Sequence, residues 1–276
     1  MSLTIGSAPF GNAPGGTFNF KREGANKTLY FEDSPRSVRG VFAGQTIVAS
    51  RRVKMLHETE RIPVWYFPME DVRMDLLEAS SHSSRCPLKG TASYWSLRVG
   101  DRFAQNAAWS YAERRTEAPP LTGYVAFEWQ AMDAWYEEDE EVFVHPRDPY
   151  CRIDILRSSR RVHVRLGDLV LADSDGPKIL FETGLPARYY LPSADVRMDL
   201  LVPSETTTRC PYKGIASYFS TKSGGPQGHD LVWAYLDPLP EVAAIRGLLC
   251  FFNERVDLEI DGEAQKRPVT RFSPQG

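Results

Sequence analysis

Two identical heptapeptides carry charged residues whose spacing suits the binding of an anion. The segment Asp71-Val-Arg-Met-Asp-Leu-Leu77 recurs as Asp195-Val-Arg-Met-Asp-Leu-Leu201, so each central arginine stands two residues from an aspartate on either side. Residues two apart share a face of an extended strand. Arg73 and Arg197 therefore either hold their aspartates in a local ion-pair network or clamp a carboxylate or phosphate, which a guanidinium binds bidentately.

A second repeated motif forms a shaped turn that contains a cysteine and a lysine. Arg85-Cys-Pro-Leu-Lys-Gly90 recurs as Arg209-Cys-Pro-Tyr-Lys-Gly214, and proline and glycine restrict the backbone of such a loop. The lysine of each copy is a candidate second cation for an anionic ligand. The cysteine is either an inert thiol, which we favour, or a nucleophile activated by the lysine three residues on. The two copies share no histidine that would serve as its base.

Aromatic and acidic residues recur at the same spacing as the two motifs. These pairs are Glu58 with Glu182, Tyr66 with Tyr190, Tyr94 with Tyr218, Trp109 with Trp233 and Tyr111 with Tyr235. The aromatic residues either pack in the core or line the mouth of a pocket with their polar groups. The glutamate lies in a strand-like run, where it either faces solvent or points inward as a candidate general base.

Every one of these pairs is separated by 124 residues, and the alignment needs no gap from about residue 34 to residue 133. Such a long constant offset indicates two homologous domains, because the units of stacked repeat proteins are only roughly 20–50 residues long. An acidic run followed by two prolines indicates the connector between the two domains, because proline stiffens a linker. We predict an N-terminal arm at 1–33, a first domain at 34–145 and a second domain at 146–276 with a linker at 146–157.

The hydrophobic pattern of each copy is typical of β-structure. Val162–Leu166 and Leu169–Ala172 flank a Gly-Asp pair and predict a hairpin. Pro192 begins a predicted helical turn, Pro240–Arg246 is the best candidate for a short helix, and Leu29–Phe31 is a candidate edge strand in the arm. The predicted fold class is mainly β: two homologous small antiparallel domains of about eight strands, each with one or two short helices.

The composition excludes several classes of protein. A net charge of −3 gives no strong attraction to nucleic acid or an anionic membrane, and no run approaches the roughly 18 apolar residues of a membrane span. The first residues lack the basic start and apolar stretch of a signal peptide. The 4 cysteines are too few for a disulfide scaffold. None of them has the C-x-x-C spacing that is typical of structural zinc sites. We predict a soluble cytoplasmic protein without metal or cofactor that contacts neither nucleic acid nor membrane, and its oligomeric state stays open.

The order of these motifs resembles the domain of unknown function 427 family. The resemblance rests on the two repeated motifs, on W-x-Y, and on Val170-Leu-Ala-Asp-Ser174 and Tyr189-Tyr-Leu-Pro192, and it covers nearly the whole chain as two tandem copies. It implies a β-tent-like fold, similar to methionine-R-sulfoxide reductases and to zinc-bearing ligand-binding modules. The family carries a nucleotidyltransferase-like label that the residues do not independently support. Asp173 matches the family pattern, whereas the first copy has Ala49 at that place.

These observations predict a duplicated β-domain that binds a small anionic ligand. The predicted ligand-binding residues are Arg73, Lys89, Tyr94, Trp109, Asp173, Tyr190, Arg197, Lys213, Tyr218 and Trp233. One alternative is a cysteine-dependent redox or transferase enzyme, for which the weak catalytic candidates are Cys86, Cys210, Glu58 and Glu182. A further alternative is an interaction scaffold in which the shared charges only stabilise the fold.

Overall fold

The computed structural model describes residues 3–19, 27–223, 225–270 and 272–274. The chain divides between Asp148 and Pro149 into two compact units, which we call the first half and the second half. Residues 1–2 and 20–26 of the predicted arm lie outside the described residues. Each half is described by itself below.

The first half consists of antiparallel β-strands, as the sequence predicts, but its described residues form eleven strands rather than about eight. They are β1 (Leu29–Asp33), β2 (Val38–Phe42), β3 (Gln45–Ser50), β4 (Lys54–Glu58), β5 (Val64–Pro68), β6 (Leu77–Cys86), β7 (Gly90–Val99), β8 (Arg102–Arg114), β9 (Tyr124–Phe127), β10 (Ala134–Glu137) and β11 (Glu140–Val142). Short 3-10 turns lie at Met69–Asp71, Met74–Leu76 and Trp129–Ala131.

The second half repeats this arrangement. Its strands are β12 (Ile153–Arg157), β13 (Val162–Leu166), β14 (Leu169–Ser174), β15 (Lys178–Glu182), β16 (Arg188–Leu191), β17 (Leu201–Cys210), β18 (Gly214–Thr221), β19 (Val232–Ala234), β20 (Leu249–Phe251), β21 (Asp257–Ile260) and β22 (Glu263–Ala264). Its 3-10 turns lie at Ser193–Asp195, Met198–Leu200, Gly225–Gly228 and Pro240–Ile245. None of the helical segments in the described residues has the length and apolar character needed to cross a membrane.

The two halves have the same sheet topology. The first half forms a seven-stranded sheet in the order β1-β4-β5-β9-β8-β7-β6 and a four-stranded sheet in the order β11-β10-β2-β3. The second half forms the sheets β12-β15-β16-β20-β19-β18-β17 and β14-β13-β21-β22, in which each strand takes the place of its counterpart. This duplication confirms the predicted fold class of two homologous antiparallel β-domains.

Several local predictions are also confirmed. Gly167 adopts a positive φ of 59° in the two-residue turn between β13 and β14, a conformation that glycine accepts without strain. Helical turns follow Pro192 and begin at Pro240. The candidate edge strand Leu29–Phe31 lies in β1, at the edge of the seven-stranded sheet, where β1 pairs with β4 over Leu29–Asp33.

The alternation of side chains along the strands gives the seven-stranded sheet two different faces. On β5, Trp65 and Phe67 belong to the core between the two sheets, whereas Tyr66 belongs to a separate cluster on the opposite face. Successive residues of a strand point to opposite faces. The second half divides in the same way, with Leu191 in its inter-sheet core and Tyr190 in the opposite cluster.

We predict that the inter-sheet core determines the stability of the first half. Phe67 is fully buried against Phe127 and Trp135, so Phe67→Ala is expected to lower the free energy of unfolding by about 3–5 kcal/mol. Guanidinium unfolding followed by tryptophan fluorescence measures this loss. The control is Phe103→Ala, at a position that is 47% exposed. An equally small effect of both substitutions would contradict this view of the core.

Candidate functional site

Each half contains a lysine–glutamate pair, partly buried in the first half and buried in the second, on the face of the seven-stranded sheet that is turned away from the inter-sheet core. In the first half, Lys89 Nζ donates to Glu58 Oε2 at 2.6 Å. In the second half, Lys213 Nζ donates to Glu182 Oε2, also at 2.6 Å, and these side chains are only 10% and 5% exposed. The weak catalytic candidates Glu58 and Glu182 therefore form ion pairs with the lysines predicted to bind the anion.

The turn between β6 and β7 positions the lysine. Cys86 ends one strand and Gly90 begins the next. Gly90 has a φ of +114°, and a Cβ added there would lie 2.4 Å from the carbonyl oxygen of Glu113. Only glycine fits this backbone approach. The amide of Arg115 then donates to the Lys89 carbonyl at 3.0 Å, so the turn is fixed against the end of β8. The C-P-x-K-G motif thus forms a tight turn that fixes the position of the lysine.

Tyrosine and tryptophan side chains surround the ion pair. In the second half, Trp233 Nε1 donates to the Tyr190 hydroxyl at 3.2 Å. Trp109 and Tyr66 are the corresponding residues of the first half, where they belong to one cluster. Lys89 Nζ also lies 5.8 Å from the ring centroid of Tyr111. These contacts place the shared aromatic residues around the pair.

We call this group of side chains the lysine–glutamate cluster. In the first half its members are Glu58, Tyr66, Cys86, Lys89, Tyr94, Trp109 and Tyr111. In the second half they are Glu182, Tyr190, Cys210, Lys213, Tyr218, Trp233 and Tyr235. All seven positions are related by the 124-residue offset.

The protonation states in the cluster follow from burial and pairing. Burial raises the pKa of Tyr66 and Tyr111, so both hydroxyls stay protonated at neutral pH. Burial alone would raise the pKa of Glu182, but the charge and hydrogen bond of Lys213 outweigh it and hold that pKa below its usual value. Burial would lower the pKa of Lys213, yet its attraction to Glu182 raises it. The lysine and glutamate of the second half are therefore both charged at neutral pH.

Tyr94 and Tyr218 lie at the partly exposed side of the cluster. The Tyr94 hydroxyl is 2.9 Å from Ser84 Oγ, and the Tyr218 hydroxyl is 2.9 Å from Thr208 Oγ1. The His82 ring, which has no counterpart in the second half, lies 4.5 Å from the Tyr94 ring. The predicted residues Tyr94, Trp109 and Lys89 are thus brought together, as are their counterparts.

The predicted arginines Arg73 and Arg197 lie outside the cluster. Arg73 binds Asp75 through two hydrogen bonds of 2.8 and 2.7 Å, and Arg197 binds Asp199 through bonds of 2.8 and 2.6 Å. Both arginine side chains are more than half exposed. The other aspartate, Asp71, instead accepts a hydrogen bond from Ser50 Oγ at 2.6 Å. The geometry therefore matches the local ion-pair interpretation, with one aspartate per arginine.

Asp173 also lies apart from the cluster. It is exposed on β14 of the four-stranded sheet, where it accepts two hydrogen bonds from Arg161 at 2.8 and 2.6 Å. The difference between Asp173 and Ala49 therefore concerns a surface ion pair in the second half.

Two features near the second cluster have no counterpart in the first half and were missed from the sequence. Cys151 Sγ lies 3.7 Å from Glu182 Oε1, and burial raises the pKa of its thiol. A buried ion pair joins Arg188 to Glu254 through hydrogen bonds of 2.7 and 2.8 Å. Because the comparison of the two copies selects only shared residues, it could not find them.

All four cysteines, Cys86, Cys151, Cys210 and Cys250, have free thiols. Burial raises the pKa of the Cys250 thiol, which is fully enclosed. Within the described part of the chain, no three histidine, cysteine, aspartate or glutamate side chains are arranged so that they could hold a metal ion.

The comparison with known families matches this duplicated structure. The sequence profile described as "Domain of unknown function (DUF427)" matches residues 30–138 and 154–262. The two matched segments are separated by the same 124 residues as the repeated motifs, which confirms the resemblance seen in the sequence. No curated protein matches the chain.

We predict that breaking the second ion pair from one side destabilises the protein strongly. Lys213→Met leaves the Glu182 carboxylate buried without its cation, which is expected to cost about 3–5 kcal/mol. The paired variant Glu182→Gln with Lys213→Met is expected to recover most of this loss, because it leaves no unpaired charge. Arg197→Ala is the control, since it removes an exposed pair and should change the unfolding midpoint little. Equal losses in Lys213→Met and Arg197→Ala would contradict the prediction.

We also predict a pH window for this ion pair. The lowered pKa of Glu182 means that its contribution to stability is complete above the ordinary value of about 4.3 and is lost as pH falls through the folded-state pKa. The raised pKa of Lys213 means that its contribution is complete below about 10.4 and is lost at higher pH. The free energy of unfolding of the wild type relative to that of the paired variant should be highest between these limits and should fall at both lower and higher pH. A difference independent of pH would contradict the assignment of charges.

Proposed function

The chain belongs to the domain of unknown function 427 family as two tandem copies, and we propose that each copy binds a small anionic molecule at its lysine–glutamate cluster. The observation that carries this proposal is the Lys–Glu pair, joined at 2.6 Å in both halves and surrounded by hydrogen-bond donors. A small carboxylate or phosphate is the ligand class that this arrangement favours.

Hydrogen-bond donors outnumber the acidic acceptors in the cluster. The first half supplies one carboxylate, from Glu58, against the ammonium of Lys89 and the hydroxyl hydrogens of Tyr66 and Tyr111. The raised pKa values of Tyr66 and Tyr111 keep their hydroxyl hydrogens in place. An ammonium has three donor hydrogens and can bind a second oxygen beside the glutamate. An acceptor-rich ligand complements this set of groups.

Stability alone does not account for the ion pair. Removing two charges from water costs several kcal/mol per ion, and a well-packed apolar pair is often at least as stable as a buried ion pair. Both halves nevertheless contain Lys, Glu, Tyr and Trp at the same positions. This supports a role in binding for the cluster.

The partly exposed members indicate how a ligand reaches the cluster. Cys86, Tyr94 and Trp109 retain some solvent exposure in the first half. In the second half Cys210 and Tyr218 do so, but Trp233 is buried. The first cluster is therefore the more accessible of the two, and we expect it to bind the ligand more readily.

The alternatives from the sequence stay predictions. A cysteine-dependent enzyme would use Cys86 or Cys210, the two thiols that belong to the clusters. An interaction scaffold would use the clusters only for stability. The cytoplasmic location and the absence of nucleic-acid partners are likewise predictions that follow from the composition.

The proposal is tested by the stoichiometry of anion binding. Isothermal titration with inorganic phosphate and with acetate, each referenced to sodium chloride at equal ionic strength, should show two sites per chain for at least one of the two anions. The paired variant Glu58→Gln with Lys89→Met should retain one site, because the second half is intact. The controls Arg73→Ala and Arg197→Ala should retain both sites.

Two outcomes would contradict the proposal. If the arginine variants lost binding while the paired variant kept two sites, the exposed arginines would be the anion site. If the wild type bound neither phosphate nor acetate, the clusters would not be anion sites, and the scaffold and thiol alternatives would gain support.

A further inference from the structure

A cavity of about 190 Å³ opens in the first half beside Trp109. Its walls include the four tryptophans Trp65, Trp109, Trp129 and Trp135, together with Val64 and Glu128. This volume is smaller than the roughly 300–1,000 Å³ of sites for drug-sized ligands. The cavity therefore suits a small group with an affinity for aromatic rings.

Three of the tryptophans form one packed wall. The ring centroids of Trp65 and Trp129 are 5.6 Å apart, those of Trp65 and Trp135 are 5.6 Å apart, and those of Trp129 and Trp135 are 5.5 Å apart. Trp65 and Trp135 are buried, which fixes their orientation. The faces of aromatic rings carry negative electrostatic potential and attract cations.

The charge of the cavity also favours a cation. Glu128 contributes a carboxylate, and no lysine or arginine is among the described residues that line the cavity. No hydrogen bond or ion pair joins the Glu128 side chain to another residue in the described part of the chain, and partial burial raises its pKa. His145 is the other titratable group of the lining, and its Nδ1 is 2.8 Å from the Pro146 carbonyl oxygen.

The second half shows which chemical group fits next to this tryptophan. Arg188 stands 124 residues after Val64 and has the same register, since Val64 pairs with Leu56 and Arg188 with Leu180. The Arg188 guanidinium lies 5.6 Å from the ring centroid of Trp233, the counterpart of Trp109. It is buried and bound by both oxygens of Glu254. The second half thus supplies its own cation beside the tryptophan, paired with a carboxylate.

We propose that the cavity of the first half binds a small free organic cation, an alkylammonium or guanidinium compound, beside Trp109 and against Glu128. Val64 is too short and apolar to supply this cation from within the chain. The ligand would take the place that the Arg188 guanidinium takes in the second half. This site is separate from the lysine–glutamate pair and takes a ligand of opposite charge, so it goes beyond the proposed function.

The test compares charged and neutral probes of the same shape. Isothermal titration of the full chain uses choline, methylguanidinium and 3,3-dimethylbutan-1-ol, the neutral analogue of choline, with sodium chloride as the ionic-strength reference. At least one cation should bind to a single site, roughly tenfold more tightly than the neutral alcohol. Glu128→Gln should weaken the cation to the level of the alcohol, because it removes only the charge.

Two further variants make the test specific. Glu113→Gln removes an exposed carboxylate from β8 and should leave cation binding unchanged. Val64→Arg should abolish cation binding, because the new guanidinium would supply a cation from within the chain, as Arg188 does beside Trp233 in the second half. The proposal is overturned if neither cation binds, if the alcohol binds as tightly as the cations, or if Glu128→Gln binds cations as the wild type does. Loss of anion binding in the paired Glu58 and Lys89 variant would not affect these results, so the two proposals fail independently.

Discussion

The structure of each half depends on the need to pair a buried charge. A lysine and a glutamate lie together at 2.6 Å in both halves, and in the second half, where the pair is buried, each charge is tolerated because the other lies within hydrogen-bond distance. The tight turn before β7 and the end of β4 must meet for this contact to form. The positive φ of Gly90 and of Gly214 serves this requirement directly. The tyrosines and the tryptophan of the lysine–glutamate cluster, which lie on other strands of the same sheet, then surround the pair.

Duplication has produced two versions of one framework. The inter-sheet core and the lysine–glutamate cluster are common to both halves, whereas the region beside the shared tryptophan differs. In the second half the buried Arg188–Glu254 pair lies against Trp233. In the first half Val64 leaves a tryptophan-lined cavity beside Trp109. The halves therefore share the lysine–glutamate pair but differ in the side chains that lie beside the shared tryptophan.

The sequence could predict the features that depend on local patterns. Strand alternation, the turn at Gly167 and the 124-residue repeat predicted the fold class, and the shared residues Lys89, Tyr94 and Trp109 do lie together. The pairing of Glu58 with Lys89 could not be predicted, because it joins the end of β4 to the turn between β6 and β7, 31 residues later in the chain and not adjacent in the sheet order. The arginines lie elsewhere because a 3-10 turn at Met74–Leu76 follows Arg73, whose guanidinium binds the aspartate two residues on. Arg188 and Glu254 are 66 residues apart and unique to the second half, so no repeated pattern reveals them.

The proposed function assigns anion binding in the first half to Lys89 and not to the exposed Arg73. NMR of protein labelled with ¹⁵N in lysine and arginine side chains observes Lys89 Nζ and Arg73 Nε in one sample. If Lys89 contacts the anion, inorganic phosphate or acetate added at constant ionic strength should shift the Lys89 Nζ resonance saturably and leave the Arg73 Nε resonance unchanged. A saturable shift of Arg73 Nε with Lys89 Nζ unchanged would contradict this assignment.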